Sequence, residues 1–409
     1  MIALAIFVFI LFLYSLVSHR VERSVLTAPL VFTVAGMLMS PLRPEFMRLG
    51  VNSQVFLRVA EIGLVLLLFT DASRADLKVL RSLKSLPTRL LSVGLLLTVL
   101  LGAVVAKMIF PHLSFWEAGI LGAILAPTDA GLGQVIVQSP RVPIRIREAI
   151  NVEAGLNDGI SVPFLLFFMS LAGAKIEGGV ASLMQFILEQ LGVGVLIGAA
   201  IGLLGGSLLA FAHQRRWITK SFREIGLVAL PLLCMLASEM FDASMFIASF
   251  VAGLAVQMKF KEASKHSIEF SEEWGQLFNL SVFFLFGMIV VGNWPQFGLL
   301  AWFYALLSLT LVRMGPVAGA LLGTRLSAAS IVFIGWFGPR GLASIVLGLV
   351  YLEQELHLPG EPTIRMVVMV TVFLSIFVHG LSAMSGIALY ARKIASLPAT
   401  APEHQGVRS

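Results

Sequence analysis

Five polar residues interrupt two neighbouring apolar segments of the chain. Thr128 and Asp129 lie in the first segment, and Glu153, Asn157 and Asp158 lie in the second. A carboxylate inside a membrane helix costs about 3 kcal/mol or more, so its presence there indicates a function. Carboxylate, amide and hydroxyl oxygens bind hard cations, and a carboxylate also binds a proton. The pattern therefore predicts a site for a cation or a proton deep in a membrane.

Asp158 is predicted to carry the ion. A carboxylate that holds either a Na⁺ ion or a proton, but not both, exchanges one for the other without a further device. Thr128 follows the helix-breaking Pro127, and its hydroxyl or carbonyl oxygen is predicted to bind the same Na⁺ ion. Asp129 has two alternative roles, since it can cap the N-terminus of a half-helix or bind the ion directly. Asn157 is predicted to bind the ion, and it can also hydrogen-bond a broken helix end, either as its sole role or together with ion binding.

Composition places the chain in a membrane. Of its 409 residues 58% are hydrophobic and 13% are charged, and the mean hydropathy is +0.92. A soluble domain is about 45–50% apolar and about 25% charged. The net charge of +6 does not predict nucleic-acid binding, because basic residues of membrane proteins concentrate in the short loops of one side. The sequence therefore predicts an all-α polytopic membrane protein that contacts the lipid bilayer.

Apolar runs follow one another over residues 1–391. Each run is close to the roughly 20 residues that a helix needs to span a bilayer, so these residues are predicted to form one transmembrane unit. The runs predict about 13 transmembrane helices. The first run, 1–17, has no basic region before it and no small-residue cleavage site, so it is predicted to be a retained span. The other spans are predicted at 25–41, 53–71, 88–110, 114–138, 148–172, 184–212, 222–241, 244–258, 269–292, 296–322, 327–352 and 362–391. The polar residues 392–409 are predicted to form a short disordered tail.

Basic residues fall mostly in the predicted loops of one side of the membrane. Arg74, Arg89 and Arg141 are examples from three different loops of that side. An excess of arginine and lysine marks the cytoplasmic side of a membrane protein. The N-terminus is therefore predicted to lie outside the cell and the C-terminus in the cytoplasm.

Two predicted spans carry helix-breaking residues near their centres. The span 114–138 is interrupted at 127–131, and the span 327–352 is interrupted at 338–341. Interrupted helices at corresponding positions of two halves indicate a transport site between inverted repeats. The two breaks are therefore predicted to contribute to one site.

The same segments resemble those of a known family. APTDAGLG, followed by VEAGLNDG and by FGPRGLASIVLG at 337–348, is similar to the NhaP/NHE branch of the monovalent cation:proton antiporters, the sodium/proton exchanger family. The resemblance implies an NhaA-like inverted repeat with two discontinuous crossing helices. It also implies a plasma-membrane homodimer without a cofactor, which exchanges Na⁺ or Li⁺ for H⁺ by alternating access.

The resemblance further implies a division of the membrane unit and roles for single residues. A core at approximately 88–172 and 296–391 moves against a dimerising scaffold at approximately 1–87 and 184–292. Glu153 and Arg340 form a structural ion pair, and Asn157 is typical of the branch that resembles electroneutral exchangers. Asp71 either lines the cytoplasmic approach and joins the site or, as the alternative, balances Arg74 at the membrane surface.

Ala154 departs from the family's pattern, which often has a serine whose hydroxyl can bind the ion. The predicted coordination is therefore one oxygen short, and K⁺/H⁺ exchange on the same scaffold is the nearest alternative function. Arg313 lies inside a long apolar run, and the sequence does not identify its partner. His379 is either a pH sensor or a helix-packing histidine.

Two functions of other classes compete with exchange. An intramembrane aspartyl protease also needs two aspartates, for which Asp129 and Asp158 are candidates, but it has no use for a second helix break with Arg340. A passive channel conducts ions without proton coupling. The sequence shows no ATP-binding loop, metal-ligand cluster or nucleophile triad, so neither an enzyme nor an ATP-driven pump is predicted.

Overall fold

Helices account for the regular structure of the described chain. A computed structural model describes residues 2–21, 26–39, 53–74, 86–177, 188–260, 264–354, 356–398 and 401–404. Its helices are α1 (Ile2–Val21), α2 (Ala28–Met39), α3 (Ser53–Arg74), α4 (Leu86–Ile109), α5 (Phe115–Ile124), α6 (Ala130–Gln138), α7 (Ile144–Glu177), α8 (Gly194–Gln214), α9 (Lys220–Met240), α10 (Met245–Lys259), α11 (Ser264–Asn293), α12 (Leu299–Leu309), α13 (Leu311–Ala320), α14 (Ala328–Trp336), α15 (Leu342–Glu353) and α16 (Glu361–Ala395). Helix α4 contains a π-helical turn, and a second π-helical turn precedes α8.

Within the described residues, each predicted span overlaps one or two of these helices; residues 1, 25, 40–41 and 184–187 of the predicted spans lie outside them. Among the described residues, eight helical segments are long and apolar enough to cross a bilayer. They are Leu4–Val21, Leu86–Ile109, Ile144–Gly173, Leu191–Gln214, Lys220–Met240, Glu273–Gln296, Leu299–Ala320 and Glu361–Ala395. Helices α2, α5, α10 and α15 are apolar but shorter. The architecture is therefore the predicted all-α polytopic one.

Both predicted helix breaks are present. The chain leaves helical geometry between α5 and α6 and again between α14 and α15. A further interruption, at Thr310 between α12 and α13, is not predicted by the sequence. The Thr310 hydroxyl donates to the Leu306 carbonyl at 2.6 Å, a local bond of the kind that bends helices.

The helices pack in two groups, with α1 against α2. The scaffold group consists of α2, α3 and α8–α11, and the core group consists of α4–α7 and α12–α16. Glycines permit close approach within the scaffold group: a Cβ at Gly36 of α2 would overlap the carbonyl of Phe284 in α11, and a Cβ at Gly287 of α11 would overlap the carbonyl of Thr33 in α2. Small residues at helix contacts are typical of membrane bundles, where helices associate by close packing.

The described part of the C-terminal tail is ordered against the core group, so the prediction of a disordered tail is wrong there. Glu403 is buried, and its carboxylate accepts hydrogen bonds from the Ser327 N–H at 2.7 Å and from the Ser330 hydroxyl at 2.8 Å. Arg145 donates to the Pro402 carbonyl at 2.9 Å. Glu403 thus caps the N-terminus of α14 from a distant part of the chain, which polarity alone does not reveal. Residues 399–400 and 405–409 lie outside the described residues.

We expect Glu403→Gln to lower the free energy of unfolding by about 1 kcal/mol at neutral pH, the usual worth of a helix cap. Burial alone would raise the pKa of the Glu403 carboxyl, but the hydrogen bonds from Ser327 and Ser330 outweigh it and hold the pKa below its usual value. The stabilisation is therefore present above the unfolded-state pKa of about 4.3, and it is lost as the pH falls through the folded-state value.

The measurement is thermal unfolding of the purified protein in detergent between neutral pH and pH 4. The difference between wild type and Glu403→Gln should shrink toward the acid end. The exposed Glu148 of α7 offers a matched control, and Glu148→Gln should melt like the wild type throughout. Equal melting of Glu403→Gln and wild type at neutral pH would contradict the capping role.

Candidate ion site

The two helix breaks lie against each other inside the core group. The Asp129 N–H, at the first break, donates to the carbonyl of Pro339, at the second break, at 2.8 Å. Thr128, Asp129 and Arg340 are at most 5% exposed. Backbone polar groups at such depth must find their partners within the protein, and each break supplies partners to the other.

Asp129 caps two half-helices at once. Its Oδ1 accepts from the Leu132 N–H at 2.8 Å in the first turn of α6, and its Oδ2 accepts from the Leu342 N–H at 2.6 Å in the first turn of α15. A carboxylate is favourable at a helix N-terminus because the helix dipole is positive there. The capping role is therefore confirmed, and both oxygens of Asp129 are occupied by backbone donors.

Glycines beside Arg340 make room for these contacts. A Cβ at Gly341 would overlap the Asp129 carboxylate, and a Cβ at Gly338 would overlap the guanidinium of Arg313. Arg340 is fully buried, and its Nη1 donates to the carbonyls of Ala126 at 2.7 Å and Pro127 at 3.1 Å. These carbonyls follow the end of α5, where the helix dipole is negative. Arg340 therefore supplies the donor for the carbonyl groups of the first break, whereas Asp129 accepts from N–H groups beyond it.

The predicted ion pair between Glu153 and Arg340 is wrong in its cationic partner. Glu153 accepts from Arg313 Nη1 at 2.6 Å and from Arg313 Nη2 at 2.9 Å, and both residues are 3% exposed. The two parallel bonds match the planar guanidinium to the carboxylate. Arg340 is directed instead to the carbonyls of the first break. Arg313 and Arg340 are both buried cations, and the sequence alone does not identify which of them pairs with Glu153.

Asn157 and Asp158 follow Glu153 on α7 and face different partners. The Asn157 Nδ2 donates to the Thr128 hydroxyl at 2.7 Å, so the amide holds the first break as well as lying beside the candidate site. Asp158 is half-buried, and its Oδ1 has no hydrogen-bond partner in the described part of the chain. The Asn157 Oδ1 is likewise without a partner among the described residues. Neither oxygen is held by another group of the described residues.

A cavity of about 290 Å³ lies between the scaffold and core groups and reaches Asp158. Its lining includes Thr27, Asp71, Arg74, Asp129, Asp158 and Asn279. Since a water molecule occupies about 30 Å³ in the liquid, this space admits a hydrated monovalent cation. Thr128 does not line the cavity surface but holds Asn157 behind it.

Asp71 lines the same cavity as Asp158. It lies at the end of α3, and the carboxylates of Asp71 and Asp129 are close enough to Asp158 to interact with its charge. Gly155 permits this approach, since a Cβ there would lie only 3.4 Å from Asp71 Cγ. Three carboxylates around one cavity attract a cation or protons.

One residue that lines the cavity carries no usable signal in the sequence. Asn279, on α11 of the scaffold group, is 8% exposed and lines the cavity; one asparagine in an apolar run has no motif around it. His379, in α16, is 2% exposed. Its Nδ1 lies 3.1 Å from the Ser375 hydroxyl oxygen. The same hydroxyl oxygen accepts a hydrogen bond from the backbone N–H of Arg340. This contact supports the helix-packing alternative for His379.

Comparison with known proteins gives consistent results. The family model described as "Sodium/hydrogen exchanger, transmembrane" matches residues 6–384. The Na(+)/H(+) antiporter 2 of Zygosaccharomyces rouxii is 29% identical over 273 residues, which are 63% of this chain and 34% of that protein. The K(+)/H(+) antiporter NhaP of Alkalimonas amylolytica is 26% identical over 347 residues, which are 83% of this chain and 59% of that protein. The chain thus spans only about a third to three-fifths of the length of these relatives.

A solved structure shares the fold. The sodium proton antiporter MjNhaP1 from Methanocaldococcus jannaschii superposes with a TM-score of 0.77, at 18% identity, over 97% of this chain and 99% of that one. The predicted all-α polytopic membrane architecture is confirmed by this likeness.

We expect a double-mutant cycle to assign Glu153 to Arg313. Glu153→Gln and Arg313→Met should each destabilise the protein by about 3 kcal/mol or more, because each leaves a buried charge unpaired. Their combined loss should fall short of the sum by about 1–3 kcal/mol, since both remove one interaction. The measurement is unfolding in mixed micelles.

The control is a second cycle with Glu153→Gln and Arg340→Met, which removes the carbonyl contacts of the first break. Its coupling energy should be smaller, as Arg340 and Glu153 interact only at longer range. A larger coupling to Arg340 than to Arg313 would favour the ion pair expected from the family resemblance.

Proposed function

We propose that this chain, which belongs to the sodium/hydrogen exchanger family, exchanges a monovalent cation for protons across a membrane. The family resemblance predicted from the sequence is confirmed by the match over residues 6–384, and with it the class of secondary transporter rather than enzyme. The proposed cation is Na⁺ or Li⁺. The single observation that carries the proposal is the Asp158 Oδ1, buried without a partner among the described residues at the end of a cavity.

Asp158 differs from the other buried charges in what surrounds it. Asp129 has both oxygens on backbone N–H groups, and Glu153 has both on Arg313. Neither needs a mobile counter-charge. Asp158 has the neutral Asn157 beside it and Asp71 opposite, so its negative charge is balanced by an incoming cation or proton. Competition between the two at this carboxylate is the proposed basis of exchange.

The proposed binding set consists of Asp158, Asp71 and the oxygen atoms around the first break. Asn157 presents its Oδ1 while its Nδ2 holds the Thr128 hydroxyl. Thr128 acts chiefly by orienting Asn157, and its role as a direct ligand through the backbone carbonyl stays a prediction. Asp129 contributes negative charge near the ion and fixes the ends of α6 and α15.

The proposed transport cycle is alternating access. The cavity opens past Arg74, at the end of α3, and Gln138, at the end of α6. The charges of the predicted loops assign this side to the cytoplasm, with the N-terminus outside and the C-terminus inside. Movement of the core group against the scaffold group would carry Asp158 to the opposite side. The inverted repeat, about 13 spans, the homodimer formed through the scaffold and the plasma-membrane location are parts of the same proposal.

K⁺/H⁺ exchange is the second candidate function, and the residue at position 154 supports it. Ala154 supplies no side-chain oxygen, and one of the similar proteins is named a K(+)/H(+) antiporter. The protease alternative is not supported, because the carboxylate of Asp129 is occupied by two backbone N–H groups and is not free to activate water with Asp158. A passive channel would conduct without moving protons, which the experiments below distinguish.

We expect Asp158→Asn to abolish cation-dependent proton movement, because an amide neither titrates nor carries the charge that balances the cation. The measurement is fluorescence dequenching in everted vesicles with Na⁺, Li⁺ and K⁺ across a range of pH. Asp242→Asn, at an exposed carboxylate between α9 and α10, is the matched control and should keep wild-type exchange. Cation-dependent dequenching by a folded Asp158→Asn protein would contradict the proposal.

We expect exchange to be electroneutral, since one exchangeable carboxylate carries one positive charge in each direction. In proteoliposomes with no ion gradients, an imposed membrane potential should then drive neither cation uptake nor proton movement. An imposed proton gradient should drive cation uptake in the same vesicles, which serves as the positive control. Uptake that follows the potential alone would exclude one-for-one exchange or indicate a channel.

A further inference from the structure

Asn279 reaches the first helix break from the scaffold group. It lies on α11, is 8% exposed and lines the same cavity as Asp158. A Cβ placed at Gly131, in the first turn of α6, would lie 3.5 Å from Asn279 Nδ2 and 3.1 Å from Asp129 Oδ1. The amide nitrogen of Asn279 therefore lies close to the first turn of α6.

The other end of this amide is unsatisfied. The Asn279 Oδ1 is buried and has no hydrogen-bond partner among the described residues. A buried acceptor without a partner is unfavourable and is rare in folded proteins. Its position at the wall of a cavity means that a bound species can satisfy it.

The same condition holds for an oxygen of a neighbouring carboxylate. Asp158 also lines the cavity, and its Oδ1 lacks a partner in the described part of the chain. Two buried acceptor oxygens without partners, on Asn279 and Asp158, fit a cation, which takes only electron pairs.

Ala154 provides no side-chain oxygen to a bound cation, and Asn279 can supply one from the opposite side of the cavity. Ala154 is buried on α7 and offers only a methyl group, so α7 alone leaves the coordination incomplete. Asp71 and Asn279 belong to the scaffold group and lie on the other side of the cavity. An oxygen from the scaffold group can complete a ligand set that the core group does not provide.

We propose that Asn279 Oδ1 is a ligand of the transported alkali cation while the site faces this cavity. The inference rests on the proposed exchange at Asp158 and extends it to a residue of the opposite helix group. Because α11 belongs to the scaffold group, this ligand is withdrawn when the core group moves. Asn279 therefore sets the affinity for the cation on the side to which the cavity opens.

The test separates the oxygen of Asn279 from its N–H₂ group. Asn279→Leu removes both at similar volume, whereas Asn279→Asp keeps an oxygen and removes the donor. In everted vesicles, we expect Asn279→Leu to raise the half-maximal concentration of the transported cation roughly tenfold. Asn279→Asp, assayed at alkaline pH so that the carboxylates are ionised, should need no more cation than the wild type.

A matched control lies one turn earlier on the same helix. Gln276 also lines the cavity but is exposed, so Gln276→Leu should leave the half-maximal concentration unchanged. A second readout is stabilisation of the purified protein by Na⁺, Li⁺ or K⁺ in a thermal-unfolding series, which reports binding without transport. Asn279→Leu should weaken this stabilisation, and Asn279→Ala replaces it if the leucine variant does not fold.

The outcomes distinguish the two proposals. If Asn279→Asp is impaired as severely as Asn279→Leu, the donor group matters and the ligand role is overturned. If the wild type exchanges cations and Asn279→Leu matches it in both readouts, this inference fails while the proposed function stands. If the wild type shows neither cation-dependent proton movement nor cation-dependent stabilisation, both fail together.

Discussion

Backbone groups at a helix break inside a membrane have no water to bond, and this constraint organises the centre of the molecule. Each break is satisfied by the other. The carboxylate of Asp129 receives N–H groups from both α6 and α15, and the guanidinium of Arg340 covers carbonyls beyond α5. Neither break could persist at this depth alone. The pair places Thr128 where it holds Asn157, and Asn157 lies next to Asp158.

The buried charges divide into a fixed set and an exchangeable one. Glu153 and Arg313 neutralise each other through two short hydrogen bonds, and Asp129 and Arg340 are bonded to backbone groups. Such charges are costly to disturb because a broken buried pair leaves an uncompensated charge. Asp158 is not held in this way and adjoins the cavity. Because the other buried charges have fixed partners, the charge of Asp158 is neutralised by a cation or proton that enters the cavity from water.

Much of the site was predictable because charged residues are energetically unfavourable inside a membrane and are therefore easy to recognise in an apolar segment. Asp129, Glu153, Asp158 and Arg340 stand out from apolar runs, and the two breaks were located from proline and glycine. Pairing was not predictable in the same way. Arg313 and Arg340 are both buried cations, and only the path of α13 past Gly338 decides that Arg313 reaches Glu153.

Polar residues without a charge gave weaker signals. Asn279 matters through its position opposite α6, which is a property of the packed helices and not of the residues around it in sequence. The interruption at Thr310, whose hydroxyl donates to its own helix, lies in a segment that is long and apolar enough to cross the bilayer as one span. The docking of Glu403 on α14 depends on a contact with Ser327 across 76 residues of chain, and the polar character of the tail gave no indication of it.

The double capping by Asp129 also has a consequence for biosynthesis. Its second partner, Leu342, is 213 residues further along the chain, so α6 is made and inserted long before α15 exists. Until then the carboxylate and the carbonyls after α5 must be accommodated by water or by provisional contacts. The ion site is therefore a late product of translation, and a ribosome stalled before residue 342 would leave helices in the bilayer without a finished transport centre.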